Sequence, residues 1–197
     1  MKRGTHNSAT GGRLIWWLRP LAWIIDPTSK CQDRSIVEQL EDGVKFFNLQ
    51  VSLIGGKWRF THGLGVYEED VLKTLKLIRL CATPEKPIFF QLYLDNCFWC
   101  KKSIRRFIDL VDIVKDRYCN VSFVMHEAWV QNSDIYLHRS ANNISIEEHY
   151  WSLGWAKTTK KWYNFIPLPK RHAKKYNKVY KGNNQAEFLI LDYYELG

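Results

Sequence analysis

The stretch Glu38–Gly63, EQLEDGVKFFNLQVSLIGGKWRFTHG, constrains the fold most, because its side-chain period changes at glycine steps. It opens on a helix end, steps over Gly43 and then alternates strictly from Phe46 to Ser52. Successive strand side chains face opposite ways, so Phe46, Asn48, Gln50 and Ser52 share one face while Phe47, Leu49 and Val51 share the other. One face is apolar and the other carries two amides. Gly55-Gly56 then supplies a turn, and Lys57–His62 reads as a second strand with Trp58, Phe60 and His62 on a common face. His62 falls at the strand's end beside Gly63, at a sheet edge, where sites are usually built.

The flanking chain alternates helix and strand. Asp33–Asp42 reads as a helix with an apolar stripe of Ile36, Val37 and Leu40, stopped by Gly43. Glu69–Ala82 reads as another, burying Val71, Leu72, Leu75, Ile78 and Leu80 and ending before Pro84. Ile88–Asp95 is a strand whose Phe89, Gln91, Tyr93 and Asp95 share a polar face, directed inward toward a site. Cys100–Arg117 follows as a long amphipathic helix, and Val121–Glu127 as a strand ending in His126-Glu127. Asp134–Leu137 reads as a strand, and Ser145–Trp155 as a helix with Ser145 as N-cap and Glu147-Glu148 in its first turn. After Pro167 and Pro169 a short helix runs toward Lys181. Glu187–Tyr194 is the last strand, with Phe188, Ile190, Asp192 and Tyr194 on one face. This rhythm argues for parallel strands with crossover helices, an α/β fold. With no repeat and no linker, residues 1–197 read as a single domain. A full eight-stranded barrel takes about 250 residues, so a barrel here must be compact or irregular.

The charge is uneven. Lysine and arginine number 29 against 20 acids, a net charge of +9, and Lys157–Lys181 holds nine of the basic residues and no acid. Such a stretch wants an anionic partner, either a lipid headgroup or nucleic acid. Trp162, Tyr163, Tyr176 and Tyr180 would be available to stack on bases, which keeps nucleic-acid binding as a third functional reading, the weakest of the three. Near the start, Trp16, Trp17 and Trp23 flank Arg13, Arg19 and Pro20, a composition that suits the headgroup layer of a membrane. The most apolar run, Leu14–Ile25, is too short to cross a bilayer, and no signal peptide is evident. A cytoplasmic or membrane-peripheral location is expected, with secretion open. Five irregularly spaced cysteines do not form a disulfide framework. Cys97-Phe-Trp-Cys100 lacks the second ligand pair that a structural zinc site would want. Asn120 and Asn143 head glycosylation sequons by pattern only.

GTHNSAT at Gly4–Thr10, CQDRSIVEQLEDGVKFFNLQV at Cys31–Val51 and then His62-Gly63 resemble, in order and spacing, the X domain of phosphatidylinositol-specific phospholipases C in its bacterial-type branch. A fainter likeness follows at FLILDYYE, Phe188–Glu195. The close resemblance covers roughly the first third of the chain. It implies an irregular or compact TIM-type barrel with its active site at the carboxyl ends of the strands. It implies that His6 deprotonates an inositol 2-hydroxyl, that His62 protonates the departing diacylglycerol oxygen, and that Asp192 orients His6, giving a cyclic phosphate. Asn7 would assist by hydrogen bonding, and Asn48, Gln50, Gln91 and Tyr93 would line the substrate.

The chain departs from that pattern on the second strand. Where the bacterial-type family carries an aspartate and an arginine, Asn48 and Gln50 stand here. The two acids of the calcium-dependent branch are also missing, so neither calcium nor another cofactor is expected. A replacement cation could come from Arg3, Arg139 or Lys157–Lys181, whereas Lys45 lies on the apolar-facing parity of its strand. Two readings survive beside nucleic-acid binding: a metal-independent phosphodiesterase acting on an anionic phospholipid or a soluble phosphodiester, and a weakened relative that binds anionic lipid or a phosphosugar.

Overall fold

The computed structural model describes residues 2–95, 104–117, 122–124, 146–150, 168–180 and 185–196. In chain order its main elements are β1 (Lys2–Thr5), α1 (Ala22–Ser29), α2 (Ile36–Glu41), β2 (Phe46–Ile54), β3 (Lys57–His62), β4 (Gly65–Asp70), α3 (Val71–Cys81), β5 (Phe89–Leu94), α4 (Ile104–Arg117), β6 (Ser122–Val124), β7 (Ile146–His149), α5 (Pro169–Tyr176) and β8 (Phe188–Leu191). Strand β2 organises the sheet. It pairs in parallel with β5 along its length, and with β1 at Phe46 and Phe47. The parallel order is β6-β5-β2-β1-β8-β7. At the far end of β2 the antiparallel strands β3 and β4 take over the edge that β1 has left. Among the described residues the sheet is thus a curled half-barrel, part of the irregular or compact TIM-type barrel that the resemblance implies.

The strict alternation of β2 becomes two separate cores. Phe47, Leu49 and Val51 are wholly buried on the outer face, against Leu75, Ile78, Phe90 and Leu110. Phe46 points inward and meets Phe89, Phe188 and Ile190. These aromatics stand at the starts of their strands, so they fill the lower end of the half-barrel and leave the next inward rung, toward the carboxyl ends, to polar side chains. Gly4 is required at this plug. A Cβ built on it would lie 3.0 Å from Phe46 Cβ and 3.2 Å from Ile190 Cγ1. Gly4→Val is therefore expected to destabilise the fold by about 1–3 kcal/mol through overpacking, read as a lower urea midpoint at unchanged slope.

Several helix boundaries follow caps that the apolar stripe alone does not show. Helix α2 starts after Ser35, whose hydroxyl accepts from the Glu38 N–H while the Glu38 carboxylate accepts from the Ser35 N–H. Its buried members are Ile36 and Gln39, whereas Val37, expected inside, is 49% exposed. In α3 the same correction applies to Leu80, at 64% exposure. Asp70 ends β4 and caps α3 at once, accepting from the Lys73 N–H at 2.8 Å. With no break between strand and helix, β4 is invisible to a search for punctuation. The helix expected over Ser145–Trp155 is overturned in its described part: Ile146–His149 is a strand paired in parallel with β8, Glu147 opposite Leu189. A serine and two glutamates satisfy a helix start locally, but a partner strand outweighs that weak preference. The readings at Cys97-Cys100, Asn120, His126-Glu127, Asp134–Leu137 and Asn143 fall outside the described residues.

Candidate active site

The site grows out of strand register. Thr5 of β1 is paired with Leu191 of β8, so the next residues, His6 and Asp192, emerge side by side at the carboxyl ends. Their side chains meet, His6 Nδ1 lying 2.7 Å from Asp192 Oδ1, with both residues buried. A carboxylate only accepts, so Nδ1 carries the proton and Nε2 the lone pair. Gln32, wholly buried, ties the two strand ends together by donating to the carbonyls of His6 and Leu191. Asn177 donates to the backbone carbonyl of Asp192 at 2.8 Å.

Asn7 stops β1 by adopting left-handed backbone geometry with φ 45°, a conformation that Asn tolerates better than most residues. Its backbone N–H donates to Asn48 Oδ1 at 3.1 Å, and its side-chain amide lies 2.9 Å from His6 Nε2. Asn48 in turn donates to Gln91 Oε1 at 3.0 Å. Both of these inward amides are buried. The sequence reading places Asn48 and Gln91 against substrate; their hydrogen bonds brace the Asn7 turn. Gln50 and Tyr93 face each other in register one rung higher and are half-buried.

His62 reaches the site from the end of β3. Its ring centroid is 5.8 Å from that of His6, with the planes at 80°. Its Nδ1–H donates to the Ser29 carbonyl at 2.7 Å, which directs Nε2 away from that anchor. Burial and the neighbouring His6 hold the His62 imidazole below its ordinary pKa, opposed by the Ser29 carbonyl, Asp95 and Asp192.

Two further residues have no counterpart in the sequence reading. Tyr150, directly after β7, stacks on His6 with centroids 3.6 Å apart and planes at 3°. Cys31 is wholly buried, its sulfur 3.6 Å from His62 Nδ1 and 3.7 Å from the Asn7 amide nitrogen. Burial and then Asp192 push its thiol well above the ordinary pKa. The available signal was position, since Cys31-Gln32 opens the block that ends on β2. His6, Cys31 and Asp192 together are a group able to hold a metal ion.

The replacement cations fare differently. Arg3 is exposed and on the opposite parity to the inward Gly4, so it faces away from the site. Arg139 and the first half of Lys157–Lys181 lie outside the described residues. The second half forms α5, whose Lys170 pairs with Asp33 and whose Arg171 joins Trp23, Asp26, Pro27 and Tyr193 around an open cavity of about 510 Å³. Trp16 and Trp23 are 71% and 76% exposed, with Leu21 and Ile24 also on the surface. Trp17 differs from its neighbours and packs partly against the core. Among the described residues, no helix is long and apolar enough to cross a membrane.

Neither family models nor curated proteins match this sequence. Solved structures do. The chain is similar to a mutant phosphatidylinositol-specific phospholipase C from Staphylococcus aureus, with TM-score 0.60 and 14% identity over 98% of this chain and 85% of that one. It is similar to the phosphatidylinositol-specific phospholipase C of Listeria monocytogenes, with TM-score 0.59 and 17% identity over 98% of this chain and 87% of that one. At such identity the likeness is one of fold, and among the described residues this chain forms only part of a barrel.

Proposed function

We propose that this chain is a phospholipase C-like phosphodiesterase that cleaves an anionic phosphodiester by two-histidine acid–base catalysis. The observation that carries the reading is the buried His6–Asp192 pair facing His62 at 5.8 Å. Asp192 holds the His6 proton on Nδ1, leaving Nε2 to take a proton from a substrate hydroxyl next to the phosphate. That hydroxyl replaces the Asn7 amide as the partner of Nε2, and its oxygen attacks phosphorus. His62, anchored through Nδ1, gives its Nε2 proton to the leaving alkoxide, and the product is a cyclic phosphate. Phosphatidylinositol is the first substrate to test, and a soluble phosphodiester is the second.

Asn48 and Gln50 bring no net charge to the phosphate, and absent electrostatic stabilisation typically costs about 10²–10³ in rate per group. A slow enzyme is the consequence. The exposed Trp23, which shares a cavity with Lys170 and Arg171, and the exposed Trp16, Leu21 and Ile24 suit docking on an anionic membrane surface. The mutual bonding of Asn48 and Gln91 favours a second reading, a weakened relative that binds lipid without turnover.

The test is hydrolysis of phosphatidylinositol vesicles with excess chelator. Turnover is expected to persist, and absence of turnover with vesicle binding retained would select the second reading. The pH profile adds a sharper check. A general acid must be protonated, and the His62 pKa is lowered, so kcat/KM is expected to fall with rising pH at an apparent pKa below the usual 6.5. Stability runs the other way. Between the lowered value and 6.5 the unfolded chain binds more protons, so the contribution of His62 is complete above 6.5 and shrinks as pH falls through that window.

A further inference from the structure

Cys31 has no part in this acid–base chemistry, yet its thiol is buried at the centre of the site. One ring nitrogen of His6, Cys31 Sγ and a carboxylate oxygen of Asp192 all lie within 4.8 Å of one another, and all three residues are buried. Imidazole, thiolate and carboxylate are the donors that zinc-class ions take, whereas calcium and magnesium want oxygen alone. A second observation concerns a neighbour of the same cluster. Asn7 is 2% exposed and its carbonyl Oδ1 has no hydrogen-bond partner among the described residues, while its amide nitrogen touches both His6 and Cys31. A buried acceptor left unpaired is costly, and a cation or the water it carries would satisfy it.

We propose that His6, Cys31 and Asp192 form a binding site for a thiophilic divalent cation of the zinc class, and that its occupancy shuts off phosphodiester cleavage. The second half rests on the function proposed above. Metal–ligand bonds of about 2.0–2.3 Å place tetrahedral ligands about 3.3–3.8 Å apart, so through side-chain rotation the widest spacing, up to 4.8 Å, must close by about an ångström and the 2.7 Å contact between His6 Nδ1 and Asp192 Oδ1 must open. The ion displaces the Cys31 thiol proton to solvent and binds the sulfur as thiolate. The lone pair that His6 gives to the metal is then unavailable for the substrate proton. Metal-bound and catalytic states exclude one another.

The test uses the full chain with Cys81, Cys97, Cys100 and Cys119 changed to serine, so that Cys31 is its only thiol, and Cd²⁺ as the probe. One Cd²⁺ per chain is expected, with ultraviolet thiolate-to-cadmium charge-transfer absorption and competition by Zn²⁺. Adding Cys31→Ser should remove the absorption, and adding His6→Ala should weaken binding by about 10–100-fold. If the four-serine chain does not fold, the natural chain and its Cys31→Ser variant should differ by one bound ion. No absorption, or absorption indifferent to His6→Ala, overturns the site. In vesicle hydrolysis, Zn²⁺ should inhibit and chelator restore, and Cys31→Ser should raise the half-inhibiting Zn²⁺ concentration at least tenfold. Inhibition unchanged in Cys31→Ser overturns the regulatory half. Cadmium binding by a chain that turns over no substrate would sink the phosphodiesterase reading and leave the metal site standing.

Discussion

His6→Ala and His62→Ala are each expected to lower kcat on phosphatidylinositol vesicles by about 10²–10⁴-fold, the usual worth of a positioned acid or base. The two losses should differ in kind. Without His6 the nucleophile has no base, and a substrate with a better leaving group cannot repair that. Without His62 the leaving alkoxide departs unprotonated, so a phosphodiester with an acidic leaving group should recover most of the lost rate. Asp192→Asn keeps the shape of the pair but can present an amide N–H toward Nδ1, favouring the wrong tautomer of His6. A loss of up to about 10⁴ is expected from it, and the double variant His6→Ala/Asp192→Asn should be no worse than His6→Ala. Because Asp192 is wholly buried, thermal unfolding of each variant must accompany the kinetics. Full activity in either histidine variant would remove the basis of the acid–base reading.

The second large effect is on stability. Phe188→Ala is expected to cost about 3–5 kcal/mol, because the ring is fully buried where the inward core converges. Its centroid lies 5.3 Å from Phe46 and 5.2 Å from Phe89, so one truncation removes contacts to β2 and β5 together. For a chain of this length that corresponds to a fall of roughly 6–20 °C in Tm, measured by calorimetry. Phe188→Leu, which refills much of the volume, should recover more than half of it. A fall of under about 2 °C would mean that the lower end of the half-barrel is not the packed plug described here.

Local periodicity carried far where burial on two sides imposed it. The alternation of Phe46–Ser52 and of Phe89–Tyr93 survives intact, since outward side chains answer to the outer core and inward ones to the aromatic plug and the polar rungs above it, and a slip of one residue would exchange them. The likeness of three short blocks to a phospholipase C domain anticipated a fold that solved structures share, and the pairing of His6 with Asp192 is present in the geometry. The Ser145–Trp155 reading failed because Ile146–His149 has weak local preferences and a partner strand more than thirty residues away in sequence. Cys31 and Tyr150 were missed for a related reason: neither lies on a period, and each reaches His6 only after the chain has folded back on itself.

What the sequence determined by itself is the two-faced character of β2 and β5 and the chemical identity of what stands at the strand ends: imidazole, amide and carboxylate. Those are local facts, decided by alternation and residue type. The tertiary structure alone decided that Asn48 and Gln91 are spent on each other, that Arg3 points away, and that a thiol sits between two histidines. Such outcomes depend on strand register and loop return, which are settled by the sum of many weak contacts over the whole chain and leave no mark on any one stretch of it.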